Sequence, residues 1–385
     1  MRGVVAALQG RALPCAVVDL DALDANIARV RQVCGGVPLR VASKSVRHLG
    51  LLRRILEGGP FQGVMCFTVP EAVFLADQGV DDLFVAYPTL QHAPLVALAR
   101  SGRTTAVVAD CRAHLTALGR AGVEAGRTLD AVLEIDVSLR GPGVHLGARR
   151  SPLRSADQVV ALARAAADIP GVQVVGLMGY EGHVAGVPDA LPGGGVSNLA
   201  KRALKRVAQP RVAQLRADAV AGLQGLGLDL RIVNGGGTGS LHLTRNEPAV
   251  TELTAGSAFL CPHLFSAFAD LDYQPAAWFA CEAVRSSDAD MVTVLGGGYV
   301  ASGSPGWDKV PQPVWPAGAA LVDLEGAGEV QTPVRGVSVE LGSPVLFRHA
   351  KAGELAERFN EYVLVRDGRV VAVEPTYRGM GQAFL

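Results

Sequence analysis

A chain of 385 residues with 36 Lys and Arg against 36 Asp and Glu carries no net charge, which removes the basic footprint of a nucleic-acid binder. Its length exceeds one ordinary core and suits a large α/β domain with a smaller companion. Six scattered cysteines lack CxxC pairs or zinc-ligand spacing, and the apolar run Gly3 to Leu8 is too short for a signal segment or a membrane span, so a soluble cytoplasmic protein with free thiols is expected.

From residue 15 onward, short β-rich runs alternate with segments of helical period. The runs are Cys15 to Asp19, Leu39 to Ser43, Gln62 to Phe67, Leu83 to Tyr87, Thr105 to Ala109, Ala131 to Asp136, Val172 to Met178 and Arg231 to Asn234. Helix candidates between them include Leu20 to Cys34, Pro70 to Gln78, Leu90 to Arg100, Cys111 to Ala121 and Ser155 to Ala167. Continuous apolar strands alternating with amphipathic helices imply a parallel sheet covered by helices, and eight such units in about 250 residues predict a closed (β/α)8 TIM-type barrel. Its predicted extent is 15–262. Near residue 262 the pattern changes to alternating segments such as Met291 to Leu295 and Glu361 to Val365, so 263–385 reads as a C-terminal β-rich domain, with residues 1–14 packed against it. The stretch Ala185 to Ser197, with two prolines and three successive glycines, reads as a mobile loop beside the barrel mouth.

Active sites of such barrels lie at the C-terminal strand ends, and those positions are chemically loaded. Lys44 follows the run from Leu39; desolvation at a barrel mouth can lower an amine's pKa and make it a Schiff-base nucleophile. Glu134-Ile135-Asp136 is followed by Ser138 and Arg140. Another strand runs into Gly179-Tyr180-Glu181-Gly182-His183. The run Gly235-Gly236-Gly237-Thr238-Gly239-Ser240 and the turn Gly256-Ser257 suit an anion, since glycines let backbone N–H groups converge and the hydroxyls add donors. No lysine follows these glycines in the manner of GxxxxGK[ST], which argues against a nucleoside triphosphate.

Together these residues resemble the fold-type III pyridoxal phosphate enzymes, which share the alanine racemase N-terminal barrel. Within them the chain is similar to the D-threonine aldolase and D-serine dehydratase branch. The resemblance rests on Lys44, the Glu134 to Asp136 strand with its following arginine, Met178 to His183, the glycine-threonine loop and Gly256-Ser257. It implies pyridoxal 5′-phosphate bonded to Lys44, with Tyr180, Gly236, Gly237, Thr238, Gly239, Ser240, Gly256 and Ser257 around it. Arg140 is the implied partner of the pyridine nitrogen, with Arg149 or Arg150 as alternatives because the spacing from Glu134 is one residue short. Tyr180 and His183 are the implied substrate-side pair, His183 as base because imidazole titrates near neutral pH. A homodimer is also implied.

The resemblance further implies a divalent metal bound by a histidine and, two residues on, a cysteine or aspartate. This chain has His349 followed by Lys351, and an ammonium has no lone pair to offer. Either His349 recruits the metal with another group such as Glu354, or the Lys351 ammonium replaces it. The expected activity is cleavage of D-3-hydroxy amino acids to glycine and an aldehyde. Dehydration or deamination of a D-amino acid is the first alternative; racemization and noncatalytic cofactor binding follow.

Overall fold

Eight parallel strands close into a barrel in the order Ile232–Gly235, Glu252–Ala255, Leu39–Ala42, Phe61–Cys66, Leu83–Val85, Thr105–Ala109, Leu129–Glu134 and Val172–Met178, the last pairing back onto the first. The computed structural model describes every residue except Pro142 and Pro305, and all but the side chain of Val144 among the rest. Alternate residues of the strands fall into two apolar clusters. Phe84, Ala106, Val108, Val132, Val175 and Ile232 form a cluster that, among the described residues, includes none from a helix, so they fill the barrel interior. Their neighbours Leu83, Val85, Val107, Ala131 and Leu133 join Leu23, Ile27, Val30, Leu52 and Leu118 of the surrounding helices. Each fully buried side chain of this kind contributes about 1.5–3 kcal/mol.

The helices form where local chemistry satisfies their ends. In Leu20–Cys34 the Asp19 carboxylate accepts from the Asp21 and Ala22 amides, and Gly35 closes the helix at φ 62°. In Leu49–Glu57 the His48 ring nitrogen Nδ1 accepts from the Leu51 amide at 3.1 Å. No described helix is long and apolar enough to cross a membrane.

One strand expectation is corrected. Cys15–Asp19 is outside the barrel: it pairs antiparallel with Ala277–Asp288 and parallel with Glu361–Arg366 in a second, nine-stranded sheet. The eighth barrel strand is Glu252–Ala255, which the sequence disguised with a glutamate at its head. All four of its residues are buried, and Glu252 is accommodated because Arg40, on the neighbouring strand, donates to both its carboxylate oxygens at 2.9 and 2.8 Å. The N-terminal helix Arg2–Ala7 lies against the second sheet, where Val4 and Leu8 pack with Val17, Trp278, Leu346 and Val363.

The β-rich part meets the barrel at Lys44. Its segment Ala352–Glu357 lies on the turn Ser43–Ser45, and a Cβ on Gly353 would overlap the Lys44 carbonyl oxygen. Only glycine lets these two backbones approach so closely. The stretch expected to be a mobile loop is tied down. Asn198 exchanges hydrogen bonds with the Leu191 backbone, and Asp189 accepts from Lys205 at 2.9 Å and from the Ala269 amide at 3.0 Å. It leads into the 30-residue helix Gly195–Gln224.

Candidate active site

The strand Leu39–Ala42 ends in a single 3-10 turn that presents Lys44 at the barrel mouth. A cavity there is lined by Lys44, Ser45, Tyr87, Arg150, Tyr180, Asn234, Gly236, Gly237, Thr238, Thr254, Gly256, Ser257 and Phe265 among others. The Lys44 Nζ donates to the Tyr87 hydroxyl at 2.8 Å. Lys44 is exposed to solvent, so the expected desolvated amine is not what the fold supplies; it supplies a phenol partner instead. Burial pushes the Tyr87 phenol up, but the Lys44 charge and hydrogen bond and the Arg150 charge outweigh it and leave the group below its ordinary value.

Arg150 completes this wall. Its guanidinium sits 5.4 Å from the Tyr87 ring centre and 5.2 Å from that of Tyr180. Tyr180 itself is held neutral, burial pushing its phenol up to about 12. Behind Arg150, burial raises the Glu134 carboxyl to about 7 despite the opposing arginine, with Asp110 and Asp136 adding repulsion.

The opposite wall is a cradle of small residues. Gly236 takes φ 94°, which disfavours any side chain, and a Cβ on Gly256 would come within 2.6 Å of the Ala42 carbonyl oxygen. A Cβ on Gly237 would stand 2.7 Å from that of Ala185. Three hydroxyls face this crowded turn: Ser45 and Ser257, 3.3 Å apart, and Thr238, which accepts from the Ala258 amide at 3.1 Å.

A buried polar layer beneath the cradle fixes it. Arg216, fully buried, ion-pairs with Glu181 at 3.0 Å and with Glu247, and donates to the Gly179 carbonyl at 2.8 Å. Glu181 also accepts from Ser240 at 2.9 Å and Thr244 at 2.5 Å. Asn234 donates to Glu252 and Thr254, linking the last two barrel strands.

The structure therefore brings Lys44, Tyr180, Gly236, Gly237, Thr238, Gly256 and Ser257 to one cavity, and leaves other expected residues out. Ser240 turns inward to Glu181, and Gly239 lies behind the cradle, where a Cβ would overlap the Ala185 carbonyl. Arg140 is exposed and bound to Asp136 at 2.5 Å and is not among the residues lining the cavity, whereas Arg150 is. The local arginine spacing was a poor guide because the intervening chain folds out as the strand Leu139–Gly141 and returns before Arg150. His183 is buried beside the cavity and not in its wall; both ring nitrogens lack partners. Burial lowers its pKa against the pull of Glu181 and Asp136, so the ring is neutral at neutral pH.

Sequence reasoning missed Tyr87, although it ends a strand run and the strand-end rule that found Lys44 applies to it equally. It also passed over Asp110, Cys111 and His114, whose ligand atoms lie within 4.8 Å of one another at the end of Thr105–Ala109. There His114 Nδ1 is 2.9 Å from the Asp110 carboxylate and 3.3 Å from the Cys111 sulfur.

His349 and Lys351 follow the strand Pro344–Arg348. His349 is buried, with both ring nitrogens unpartnered; burial foremost, then Arg348 and His263, push its pKa down to about 3. Lys351 donates to the Ser302 carbonyl at 2.6 Å and hydroxyl at 3.0 Å.

Residues 18–259 match the family described as "Alanine racemase, N-terminal domain". A 3-hydroxy-D-aspartate aldolase from Paracoccus denitrificans (strain Pd 1222) is 30% identical over 268 residues, 68% of this chain and 61% of that protein. A D-threonine aldolase from Arthrobacter sp. is 28% identical over 286 residues, 73% of this chain and 68% of that protein. The crystal structure of D-threonine aldolase from Filomicrobium marinum superposes with a TM-score of 0.82 at 23% identity, covering 96% of this chain and 95% of that one, a likeness of fold. On the match across its whole barrel, the chain belongs to the alanine racemase N-terminal domain family.

Proposed function

We propose that this protein is a pyridoxal-phosphate-dependent lyase that cleaves D-configured 3-hydroxy amino acids to glycine and an aldehyde. The observation that carries the reading is the Lys44 amine, hydrogen-bonded to Tyr87 and facing a glycine and hydroxyl cradle across one cavity. The named activities of the aldolases from Paracoccus and Arthrobacter support it.

The residues present fit the cofactor. Lys44 would bond its aldehyde carbon. The crowded turn at Gly236, Gly237 and Gly256, with the Ser45, Thr238 and Ser257 hydroxyls, would hold its phosphate. Arg150, the arginine in the cavity lining, would meet its ring. When bound, the cofactor withdraws electrons from the bonds at the substrate's Cα. The chain's own residues do the rest. Tyr87 holds the Lys44 amine in place, and Tyr180, under Arg150, would pack beside the cofactor's ring. His183, neutral and with two free nitrogens, is the group we assign to take the proton from the substrate's Cβ hydroxyl.

Dehydration is the second reading, favoured by one observation. The Lys351 ammonium is an acid, and elimination requires the departing hydroxyl to be protonated. A cytoplasmic homodimer belongs with either reading, and the six free thiols suit a reducing compartment.

Purified protein should show a visible absorption band with added pyridoxal phosphate, abolished by Lys44→Ala. Incubation with D-threonine or 3-hydroxy-D-aspartate should release glycine and an aldehyde. Ammonia with an oxo acid would move the protein to the dehydratases. Absence of the band in the wild type would overturn the cofactor assignment.

A further inference from the structure

The metal implied at His349 and the second residue beyond it does not fit the groups present. A divalent cation needs several lone pairs converging on one point. Position 351 instead holds an ammonium, which offers three N–H donors and no acceptor. That ammonium is gripped: it donates to the Ser302 carbonyl at 2.6 Å and hydroxyl at 3.0 Å, and Glu354 lies 3.7 Å away. Glu354, the other candidate ligand, is committed as well. One of its oxygens accepts from the Ser302 amide at 2.7 Å and the other from the Ser302 hydroxyl at 2.5 Å. His349 alone remains, and one imidazole beside the Arg348 guanidinium and the Lys351 ammonium makes no cation site.

We propose that this chain works without that metal, and that the Lys351 ammonium supplies the positive charge beside the oxygen on the substrate's Cβ. The proposal rests on the lyase reading above. Three observations carry it. The first is the lysine itself, fixed by Ser302 and Glu354 in one orientation. The second is its place: Gly353 lies backbone to backbone against the Lys44 carbonyl, so the Cα of Lys351, two residues earlier, is held within roughly 10 Å of the turn that presents Lys44. The third is the donor set: His349 is buried with both ring nitrogens unpartnered and is not among the residues lining the cavity, so no second lone pair converges with it on a cation.

The reaction balances without a metal. The Cβ hydroxyl loses its proton to a base, the carbon–oxygen double bond of the aldehyde forms, and the Cα–Cβ bond breaks. Its electron pair stays with Cα, which takes up a proton to become glycine. Negative charge gathers on the Cβ oxygen as its proton leaves, and a fixed N–H donor carrying positive charge stabilises that oxygen more than it stabilises the neutral hydroxyl. Ser302 and Glu354 act as positioning residues that hold the donor.

The test pairs metal binding with turnover in the pyridoxal-phosphate-loaded enzyme. Manganese titration followed by electron paramagnetic resonance should leave the wild-type spectrum that of the free ion, and aldehyde release should change less than twofold with a chelator. Lys351→Ala should lower kcat/KM by about 10- to 100-fold, the loss of one charge-assisted hydrogen bond, while Lys351→Arg retains most of the activity. Lys351→Asp should acquire one bound manganese ion, and its cleavage activity should become chelator-sensitive. One equivalent of tightly held metal in the wild type, with activity lost to chelator and restored by manganese, would overturn the proposal. So would a Lys351→Ala enzyme of undiminished kcat/KM, or a folded Lys351→Asp enzyme that binds no ion. The binding measurement needs no turnover, so a failure to cleave any D-3-hydroxy amino acid would count against the lyase reading and leave the metal question separately decided.

Discussion

The Lys44 amine and the Tyr87 hydroxyl stand 2.8 Å apart, each just beyond the end of a barrel strand, with the strand Phe61–Cys66 between those two strands. The pair joins the residue most legible in the sequence to one that passed unnoticed. The Lys44 ammonium draws the Tyr87 pKa down, and the phenol tethers the amine. Tyr87→Phe keeps the ring and the Arg150 contact but removes the hydroxyl. We expect the absorption band to persist, its pH titration to shift, and kcat to fall about 10- to 100-fold, the value of one hydrogen bond to a charged group. Absorbance titration and steady-state assays measure both.

Arg150 and Arg140 separate cleanly by mutation. Arg150→Ala should weaken pyridoxal phosphate binding at least tenfold, because it removes the guanidinium packed over Tyr87 and Tyr180. Arg140→Ala, which loses a part-buried pair with Asp136 outside the cavity lining, should leave that affinity within about twofold. Fluorescence titration with the cofactor distinguishes them, and equal losses would return Arg140 to the site.

The Arg216 guanidinium is enclosed by two carboxylates and a carbonyl with no exposure to water. Arg216→Met would strand Glu181 and Glu247 in the interior, at a cost of about 3–5 kcal/mol. The denaturant midpoint should fall accordingly. Because Glu181 also holds Ser240 and Thr244, cofactor affinity should fall with it.

Glu71 is fully buried; it accepts from the Phe67 amide at 2.8 Å and has one oxygen unpartnered. Burial raises its carboxyl from 4.5 to about 7. A folded-state pKa raised in this way means that the folded protein holds the proton more tightly than the unfolded chain. The group's contribution to stability is therefore full below about pH 4.5 and is lost as pH rises through 7. Glu71→Gln cannot ionise, so between pH 5 and 8 the wild type should lose about 2–3 kcal/mol relative to the variant. Melting temperatures of the two proteins across that range check the sign.

The site was legible where a residue type is demanded by local geometry. Gly236 adopts a positive φ, Gly256 lets the Ala42 carbonyl pass close by, and Lys44 follows an apolar strand; each leaves a mark in the chain itself. It was illegible where a side chain's direction depends on a distant partner. Ser240 looks like a donor for the cradle, yet Glu181, 59 residues earlier, turns it inward. Arg140 follows Glu134 at nearly the expected spacing, yet its carboxylate partner is Asp136 and Arg150 reaches the cavity after a hairpin.

By itself the sequence determined that strands and helices alternate, that a lysine and a glycine loop stand at strand ends, and that a lysine occupies position 351, where the resemblance implies a metal ligand. Hydrophobic period and residue type decide these things, because both act within a few residues of chain. Only the tertiary structure decided that Cys15–Asp19 belongs to the second sheet and Glu252–Ala255 closes the barrel. Apolar character reports that a strand is buried and carries no information on which neighbour buries it. The choice rests on a pairing between residues far apart, such as Arg40 with Glu252, that exists only once the barrel has closed.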